Sequence, residues 1–177
     1  MRIVGGKYRG RVLTEFVGRD IRPTSDKARE SLFNILQFKV FGKTFLDLFC
    51  GTGAVGIEAL SRGAKKVTFN DLDKRSIELL RKNLDKLKVE EEYCVKNGDA
   101  LNLLKSTAEK FDYIYIDPPY KTDLGVGALQ IVADVLAEGG TVIFEDEKPF
   151  TAFAPGLKVV DERKYGRIHL TFFQKGE

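Results

Sequence analysis

The feature that most constrains this chain of 177 residues is a regular alternation of short apolar segments with amphipathic segments from Thr44 onward. The short segments read TFLDLF, KVTFND, EYCVKN, FDYIYID and TVIFED. The segments between them have helical spacing, and they are AVGIEALSRG, the stretch carrying Ile77, Leu80, Leu84 and Leu87, ALNLLKSTAEK, and LGVGALQIVADVL, which ends at Glu138-Gly139-Gly140. Strands that alternate with helices in this way predict a mostly parallel sheet with helices on both faces. The functional site of such a sheet lies beyond the carboxyl ends of its strands.

Both ends of the chain depart from this alternation. The tail LKVVDERKYGRIHLTFFQ predicts two antiparallel strands joined by a turn near Gly166. At the start, short apolar pairs around a glycine-rich turn predict a small hairpin, and a helix with a cap signal at residues 22–26 follows. That helix places Ala28, Leu32, Ile35 and Leu36 on one face. We therefore divide the chain into a basic N-terminal extension, residues 1–24, and a single domain, residues 25–177.

Composition excludes several classes of protein and site. No run approaches the roughly eighteen apolar residues that a membrane span needs, and the charged N-terminus lacks the apolar core of a secretory signal. Two cysteines, Cys50 and Cys94, with one histidine are too few for a disulfide framework or a zinc site. We therefore expect a cytoplasmic protein with no metal, and no feature requires a membrane or an obligate protein partner.

The net charge of +3 is unevenly distributed along the chain. Residues 1–31 hold eight basic and four acidic groups, whereas the rest of the chain is close to neutral. A basic segment on a near-neutral body is typical of a protein that binds a polyanion. An ordinary solvated surface is the alternative interpretation.

The segment Gly51-Thr52-Gly53-Ala54-Val55-Gly56 follows a predicted strand and precedes a predicted helix, and Asp71 lies twenty residues beyond Gly51. This spacing matches the dinucleotide-binding pattern, so a nicotinamide-dependent oxidoreductase is one candidate. Asp47 favours another ligand, because its carboxylate would repel a pyrophosphate and attract an ammonium and a sulfonium. S-adenosylmethionine carries those two cations and no phosphate. The glycines would then allow the backbone to approach that cofactor closely.

Asp117-Pro118-Pro119-Tyr120 follows the fourth predicted strand. An exocyclic amine of a nucleobase is a poor nucleophile, because its lone pair is delocalised into the ring. A carboxylate and a carbonyl that accept its two N–H bonds favour the state in which the pair is localised and positive charge develops on nitrogen. Asp117 and the Pro118 carbonyl are such acceptors, and Tyr120 can stack on a base that has left its helix. The pattern therefore indicates methylation of an exocyclic amine.

Asp47-Leu48-Phe49-Cys50-Gly51-Thr52-Gly53 together with Asp117-Pro118-Pro119-Tyr120 resembles the class I S-adenosylmethionine-dependent methyltransferases that modify exocyclic amines. The segments MRIVGGKYRGRVL, RPTSDKARESLFNIL, DLFCGTGAVGIEALSRGA, FDYIYIDPPY and KYGRIHLTFF are similar, in this order and spacing, to the RsmD family. Members of that family methylate N2 of a guanine in bacterial small-subunit ribosomal RNA. The resemblance covers nearly the whole chain. It implies a Rossmann-like α/β fold with a mostly parallel seven-stranded sheet, an antiparallel C-terminal hairpin and a short N-terminal hairpin and helix extension.

The resemblance also implies where the cofactor binds. The residues on the methionine side are Asp47, Gly51 and Gly53. Asp71 would hold the ribose hydroxyls, with Asp73 as an alternative, because family members usually carry Glu at position 71 and an apolar residue at position 70. Asp99 and Ala100 would contact the adenine. Thr24 and Arg29 lie where related enzymes approach the cofactor's carboxylate, although both also fit as a helix cap and a surface charge.

The catalytic residues that the resemblance implies are Asp117, Pro118 and Tyr120. The RNA-contact candidates are Lys7, Arg9, Arg11 and Arg22, interleaved with Tyr8 and Phe16. Contacts from such cations to phosphates position an enzyme without reading sequence. The implied partner is 16S ribosomal RNA, within the 30S subunit or an assembly intermediate. His169 and Cys50 are interpreted as structural residues, because neither has a sequence neighbour that would make it catalytic.

Several other functions remain open at this point. Adenine N6 or cytosine N4 in a nucleic acid is the nearest alternative target, although enzymes of that kind usually carry a separate target-recognition domain. Protein glutamine methyltransferases share the second motif but generally have Asn in place of Asp117. The nicotinamide-dependent oxidoreductase and a catalytically silent RNA-binding protein are alternatives from other classes.

Overall fold

The computed structural model of the chain describes residues 1–17 and 26–176. Within these residues the strands are β1 (Thr44–Asp47), β2 (Lys66–Asp71), β3 (Glu92–Asn97), β4 (Phe111–Ile116), β5 (Leu136–Asp146), β6 (Leu157–Tyr165) and β7 (Ile168–Lys175). The α-helices are α1 (Asp26–Leu36), α2 (Ala54–Ser61), α3 (Lys74–Leu87), α4 (Ala100–Ser106) and α5 (Leu124–Leu129). Short 3₁₀ turns occupy Gln37–Val40 and Val132–Val135.

All of these strands join one sheet in the order β3-β2-β1-β4-β5-β7-β6. The strands from β3 to β5 in this order are parallel to their neighbours, and β7 runs antiparallel to both β5 and β6. The predicted mostly parallel sheet with an antiparallel C-terminal hairpin is confirmed. We call the side on which β1 to β5 end the carboxyl edge. Because β7 is antiparallel, the turn between β6 and β7 reaches this same edge, where His169 pairs with Asp146.

Amphipathic spacing explains how the helices cover the sheet. In α3 the predicted apolar residues Ile77, Leu80, Leu84 and Leu87 are all buried. Adjacent residues of one strand, such as Phe45 and Leu46, belong to two different apolar clusters. Since successive side chains of a strand point to opposite faces, the core consists of one cluster on each face of the sheet.

The helix predicted over LGVGALQIVADVL is shorter than expected. It ends at Leu129, a 3₁₀ turn follows, and Glu138-Gly139-Gly140 lies inside β5 instead of terminating a helix. Pairing with β4 accounts for this, because Leu136 already aligns with Phe111 and the register then shifts before Tyr113 aligns with Thr141. Gly139 has φ of +70°, so the glycines that resemble a helix stop accommodate an irregularity in the strand.

Residues 1–17, which we call the N-terminal arm, pack onto the body of the domain. The predicted hairpin is reduced to one isolated bridge between Arg2 and Val12. Ile3, Tyr8 and Leu13 are at most 2% exposed and belong to the core cluster that includes α1, α2 and α3. The arm is therefore part of the domain core. Arg22, Thr24 and the proposed boundary after residue 24 lie outside the described residues.

A buried ionic cluster binds the arm to two helices. The carboxylate of Glu58 in α2 accepts the backbone N–H groups of Val4 at 3.0 Å and Gly5 at 2.7 Å. It also pairs with Arg62 at 2.9 Å and with Arg29 of α1 at 3.4 Å. Glu58 is 1% exposed and Arg29 is completely buried. The alternative interpretation of Arg29 as a surface charge is therefore wrong, because its guanidinium lies between the arm and α2.

No helix in the described part of the chain is long and apolar enough to cross a membrane.

Candidate active site

A cavity of about 580 Å³ opens at the carboxyl edge of the sheet. Its volume is that of a typical small-molecule site. The residues predicted for the site that line it are Asp47, Gly51, Asp71, Asp99, Ala100, Asp117, Pro118 and Tyr120. The two sequence motifs and the ends of four parallel strands therefore converge on one space. Glu15 and Phe16 of the N-terminal arm also line it, which places Phe16 at the cavity although the sequence grouped it with RNA contacts.

The glycine loop after β1 is shaped by backbone hydrogen bonds and by left-handed residues. The Cys50 N–H donates to Asn70 O at 2.8 Å, and the Gly53 N–H donates to Cys50 O at 2.8 Å. Gly51 and Gly53 have φ of +52° and +86°. A Cβ at Gly53 would lie 2.2 Å from Leu80 Cδ1, whereas a Cβ at Gly51 would meet no atom within 4 Å. Gly53 is therefore needed for packing below the loop, and Gly51 keeps the cavity wall open.

Asp47 is the most deeply buried carboxylate of the cavity, with 1% of its surface exposed. Its Oδ2 accepts the Gly56 N–H at 2.9 Å. Burial raises the pKa of Asp47 to about 7, and the nearby charge of Asp71 contributes to the increase. A cation in the cavity would offset both effects, because it stabilises the ionised carboxylate.

Asp71 and Asp73 have separate roles in the structure. Asp71 lines the cavity, and its two oxygens accept the Gly51 N–H and the Asp73 N–H, each at 2.8 Å. Burial raises the pKa of Asp71. Asp73 caps α3 by accepting the Arg75 N–H and is bound by the Arg75 guanidinium. Of the two carboxylates considered for the same ligand group, Asp71 is the one at the cavity.

Asn70 is a cavity residue that the sequence did not single out. Its amide nitrogen donates to Leu48 O at 3.2 Å and Gly98 O at 3.1 Å, so it joins the ends of β1, β2 and β3. Its Oδ1 is buried without a hydrogen-bond partner in the structure. An unsatisfied buried acceptor is costly, so this atom fits a ligand that donates a hydrogen bond. A polar residue ending an apolar strand is the signal that could have identified it.

Asp99 begins α4, where its Oδ1 accepts the Asn102 N–H at 2.8 Å. This cap fixes the carboxylate beside Ala100, the first residue of the helix. Both residues line the cavity on the side of β3.

Asp117-Pro118-Pro119-Tyr120 lies at the end of β4, on the opposite side of the cavity from Asp99. A Cβ at Gly125 would lie 2.6 Å from Pro118 Cγ, so the start of α5 packs against this loop. Thr122 Oγ1 donates to Pro119 O at 2.8 Å. These contacts and the two prolines hold the loop in one conformation. Tyr120 remains 47% exposed, which leaves its ring accessible at the rim.

A buried hydrogen bond lies below this loop. The Tyr115 hydroxyl donates to Glu145 at the end of the neighbouring β5, and neither residue is more than 5% exposed. Tyr115 lines the cavity floor. The two residues are 30 positions apart, so this pair could not be predicted from the sequence.

The predicted RNA contacts of the arm lie away from the cavity. The Lys7 N–H donates to the carbonyl of Ser61, the last residue of α2, and Arg11 donates to the carbonyl of Leu87, the last residue of α3. Because α3 begins at the carboxyl edge and has 14 residues, its far end is roughly 20 Å from that edge. The structure therefore does not bring Lys7, Arg9 and Arg11 next to Asp117.

Two of these cations also have partners within the chain. Lys7 pairs with Glu90 at 3.0 Å and with Glu91 at 2.9 Å, and hydrogen bonds to Glu91 and Glu90 raise the pKa of Lys7. Tyr8 is buried and donates to Glu91 at 2.5 Å. Arg9 is exposed and forms no ion pair within residues 1–17 and 26–176.

Asn83 of α3 connects the arm to the glycine loop. Its side chain accepts the Thr14 N–H at 2.8 Å and donates to the carbonyls of Thr14 at 3.1 Å and Thr52 at 3.3 Å. Asn83 is completely buried. The arm segment that reaches the cavity is thus held by the same side chain as the loop.

Cys50 and His169 have the structural environments that the sequence predicts. Cys50 is buried, and burial raises the pKa of its thiol well above the usual value, which disfavours the nucleophilic thiolate. His169 is partly buried in β7 between Asp146 and Lys164 of the adjacent strands. Among the described residues, no cluster of His, Cys, Asp and Glu could hold a metal ion.

Comparison with known proteins gives matches over almost the full chain. A family model described as conserved hypothetical protein 95 matches residues 1–174. The chain is 35% identical over 180 residues to ribosomal RNA small subunit methyltransferase D of Haemophilus influenzae, covering 98% of this chain and 93% of the relative. It is also 35% identical over 149 residues to the protein of the same name from Escherichia coli, covering 83% of this chain and 75% of the relative.

Solved structures give the same picture. A structure from Escherichia coli, provisionally named a methyltransferase, has a TM-score of 0.87 at 30% identity and covers 99% of this chain and 97% of that chain. A structure from Haemophilus influenzae, provisionally named a methylase, has a TM-score of 0.81 at 34% identity, with coverages of 99% and 98%. The sheet order and the coverage together identify the class I methyltransferase fold.

Proposed function

The chain belongs to the conserved hypothetical protein 95 family, the RsmD family of the sequence resemblance, and from this premise we propose that it transfers a methyl group from S-adenosylmethionine to the N2 amine of a guanine in small-subunit ribosomal RNA. One observation carries the proposal: Asp117-Pro118-Pro119-Tyr120 faces the same cavity as Asp47 and the glycine loop. Relatives named as ribosomal RNA small subunit methyltransferases support the substrate class.

The cavity fits S-adenosylmethionine in charge and in hydrogen bonding. Asp47 and Asp71 have pKa values raised by burial, so a ligand with two cations and no phosphate suits this wall. The unsatisfied Asn70 Oδ1 offers an acceptor to the same ligand. In this proposal Asp47 and Gly51 form the methionine side, with Gly53 supporting the loop from below. Asp71 holds the ribose hydroxyls, and Asp99 and Ala100 contact the adenine. When bound, the cofactor supplies an electrophilic methyl group.

The loop after β4 would activate the amine. The Asp117 carboxylate and the Pro118 carbonyl accept the two N–H groups of the exocyclic amine, which localises its lone pair toward the methyl group and stabilises the positive charge that develops on nitrogen. Tyr120 at the rim stacks on the base, an interaction worth about 1–3 kcal/mol. A base in a helix or loop must leave its stack to reach this position.

The test is transfer of labelled methyl groups from S-adenosylmethionine to 30S subunits that lack their native guanine methylation, followed by digestion to nucleosides. We expect the label in N2-methylguanosine. Label in N6-methyladenosine or N4-methylcytidine would keep the reaction and overturn the target. Absence of transfer together with absence of cofactor binding in calorimetry would overturn the cofactor assignment, and binding of a nicotinamide nucleotide would favour the oxidoreductase.

Two alanine substitutions in the glycine loop should have different effects. Each places a side chain in left-handed backbone, at a cost of about 1–2 kcal/mol. In Gly53→Ala the new methyl group also collides with Leu80, so the larger loss of stability is expected there. In Gly51→Ala the methyl group meets no protein atom, but it lies at the cavity wall. This variant should therefore lose less stability than Gly53→Ala and more of its affinity for the cofactor. Thermal unfolding and calorimetry of both variants measure this difference, and parallel losses would contradict it.

The affinity for S-adenosylmethionine should rise with pH because of Asp47. Burial raises the pKa of this carboxyl to about 7, so it is largely neutral below that pH and ionised above it, when it attracts a cationic ligand. The stability of the free protein should depend on pH in the opposite direction. Because the pKa of Asp47 is raised in the folded state, this group stabilises the fold at low pH, and that contribution is lost as pH rises toward 7.

Asp47→Asn should remove the part of both pH dependences that comes from this group. Comparing the variant with the wild type at each pH cancels titration of the ligand itself. Asp73→Asn is the matched control, because Asp73 caps α3 and does not line the cavity. Identical affinity profiles for wild type and Asp47→Asn would show that Asp47 does not face the cation.

A further inference from the structure

Four exposed cations lie at the carboxyl edge on the side of β4, β5 and the turn between β6 and β7, and we call them the edge cations. They are Lys121, Lys148, Lys164 and Arg167. Lys121 directly follows Tyr120, and Lys148 follows the end of β5. Lys164 and Arg167 flank the turn between β6 and β7, which the antiparallel direction of β7 brings to this edge. They come from three separate chain segments, so no single charge run in the sequence announces them.

None of the edge cations forms an ion pair within the described residues. Other cations with a carboxylate within reach do pair with it, as Lys7 does with Glu90 and Glu91 and as Arg163 does with Asp161. Exposed carboxylates also lie at this edge, at Asp123, Glu147 and Glu162. Positive and negative side chains are therefore mixed on this surface. Each cation is suited to contact an individual anionic group.

We propose that the edge cations bind the phosphates of the RNA nucleotides on either side of the target base. The inference rests on the proposed function and specifies its substrate surface. An RNA strand that delivers a base into the cavity brings the negatively charged phosphates of its neighbouring nucleotides to the rim, where exposed cations attract them. Enzymes that take a base out of its stack commonly contact the flanking nucleotides, and those phosphates must lie at the rim when the base is inside.

The location of Lys7, Arg9 and Arg11 in the described part of the N-terminal arm supports this assignment. The tip of the N-terminal arm lies roughly 20 Å from the carboxyl edge, next to the last residue of a helix of 14 residues. Lys7 is neutralised there by two carboxylates, and Arg11 binds the helix end. Arg9 could therefore contact only a more distant part of the RNA. The phosphates next to the target base are within reach of the edge cations instead.

The experiment compares Lys164→Gln/Arg167→Gln with the matched control Lys65→Gln/Lys158→Gln. The control removes the same charge from exposed residues at the opposite edge, near the start of β2 and of β6. Binding to 30S subunits that lack the guanine methylation is measured over a range of salt concentrations. Loss of two phosphate contacts should flatten the slope of log K against log salt by about 1.4 and weaken binding about 25-fold near 0.1 M salt. The KM for the subunit should rise while kcat and the affinity for S-adenosylmethionine stay unchanged.

Equal slopes for the edge variant and the control would overturn the proposal. A lowered kcat without a changed slope would also overturn it, because that result assigns the residues to the fold of the site. If the edge variant shows the predicted slope change but the wild-type protein transfers no methyl group to the subunits, the proposed function alone is refuted. If the edge substitutions weaken binding to an acidic protein but not binding to RNA, the partner of this surface is a protein and the proposal is overturned.

Discussion

Asp117→Ala should reduce methyl transfer by about 10²–10³-fold, the usual effect of losing one group that stabilises transition-state charge. The carboxylate lies at the cavity directly after β4, where the amine rather than the cofactor would contact it. The affinity for S-adenosylmethionine should therefore remain close to that of the wild type. Asp117→Asn, which keeps one oxygen acceptor and loses the charge, should retain more activity than the alanine variant.

Single-turnover transfer to 30S subunits and calorimetry with S-adenosylmethionine measure the two quantities separately. Glu138→Ala is the control, because it removes a carboxylate that is 94% exposed in a part of β5 remote from the cavity. Equal losses of cofactor binding and turnover in Asp117→Ala would place this carboxylate in the cofactor site. Unchanged turnover would show that Asp117 does not activate the amine, whereas absence of transfer by the wild type as well would favour a catalytically silent binding protein.

Glu58→Ala should lower the free energy of unfolding by about 3–5 kcal/mol, because it breaks a buried ion pair and leaves two backbone N–H groups of the arm without their acceptor. The carboxylate accepts from the backbone of Val4 and Gly5, and it pairs with Arg29 and Arg62. Within the described residues, the completely buried Arg29 would keep its bond to the carbonyl of Arg2 and its ion pair with the half-exposed Asp26. The arm should then detach more readily than the sheet unfolds.

Urea unfolding gives the stability, and limited proteolysis reports whether residues 1–17 become accessible first. Glu78→Ala provides a matched control, since Glu78 is an exposed glutamate of a helix, α3. A Glu58 variant as stable as this control would mean that the arm is held by its apolar residues alone. Glu58→Gln should lie between the two, because an amide still accepts one hydrogen bond.

Much of the architecture can be predicted from the spacing of apolar residues within short segments of the sequence. The spacing of Ile77, Leu80, Leu84 and Leu87 predicts the buried face of α3, because a helix places every third or fourth residue on one side. The carboxyl ends of parallel strands meet at one edge, so Asp47 and Asp117 can be placed together from the strand pattern alone. That both residues reach one cavity can therefore be predicted without knowing any contact between distant residues.

The errors come from interactions between distant residues. The end of α5 could not be predicted, because pairing of Leu136 with Phe111 decides where β5 begins. Arg29 reads as a surface charge until Glu58, 29 residues later, is brought beside it. Lys7 reads as free to bind RNA, but Glu90 and Glu91 reach it from the turn before β3. Charge partners at such separations leave no periodic signal in a single sequence.

The bonds of Asn83 to Thr14 and to Thr52 make the arm and the glycine loop parts of one thermodynamic unit. A cofactor that orders the loop must also strengthen the docking of the arm, and by reciprocity an arm held in place must increase the affinity of the loop for that cofactor by the same factor. Amide hydrogen exchange of the arm should therefore slow when the cavity is filled, although the arm's tip is far from it. Slower exchange in the arm would then report that the cofactor is bound.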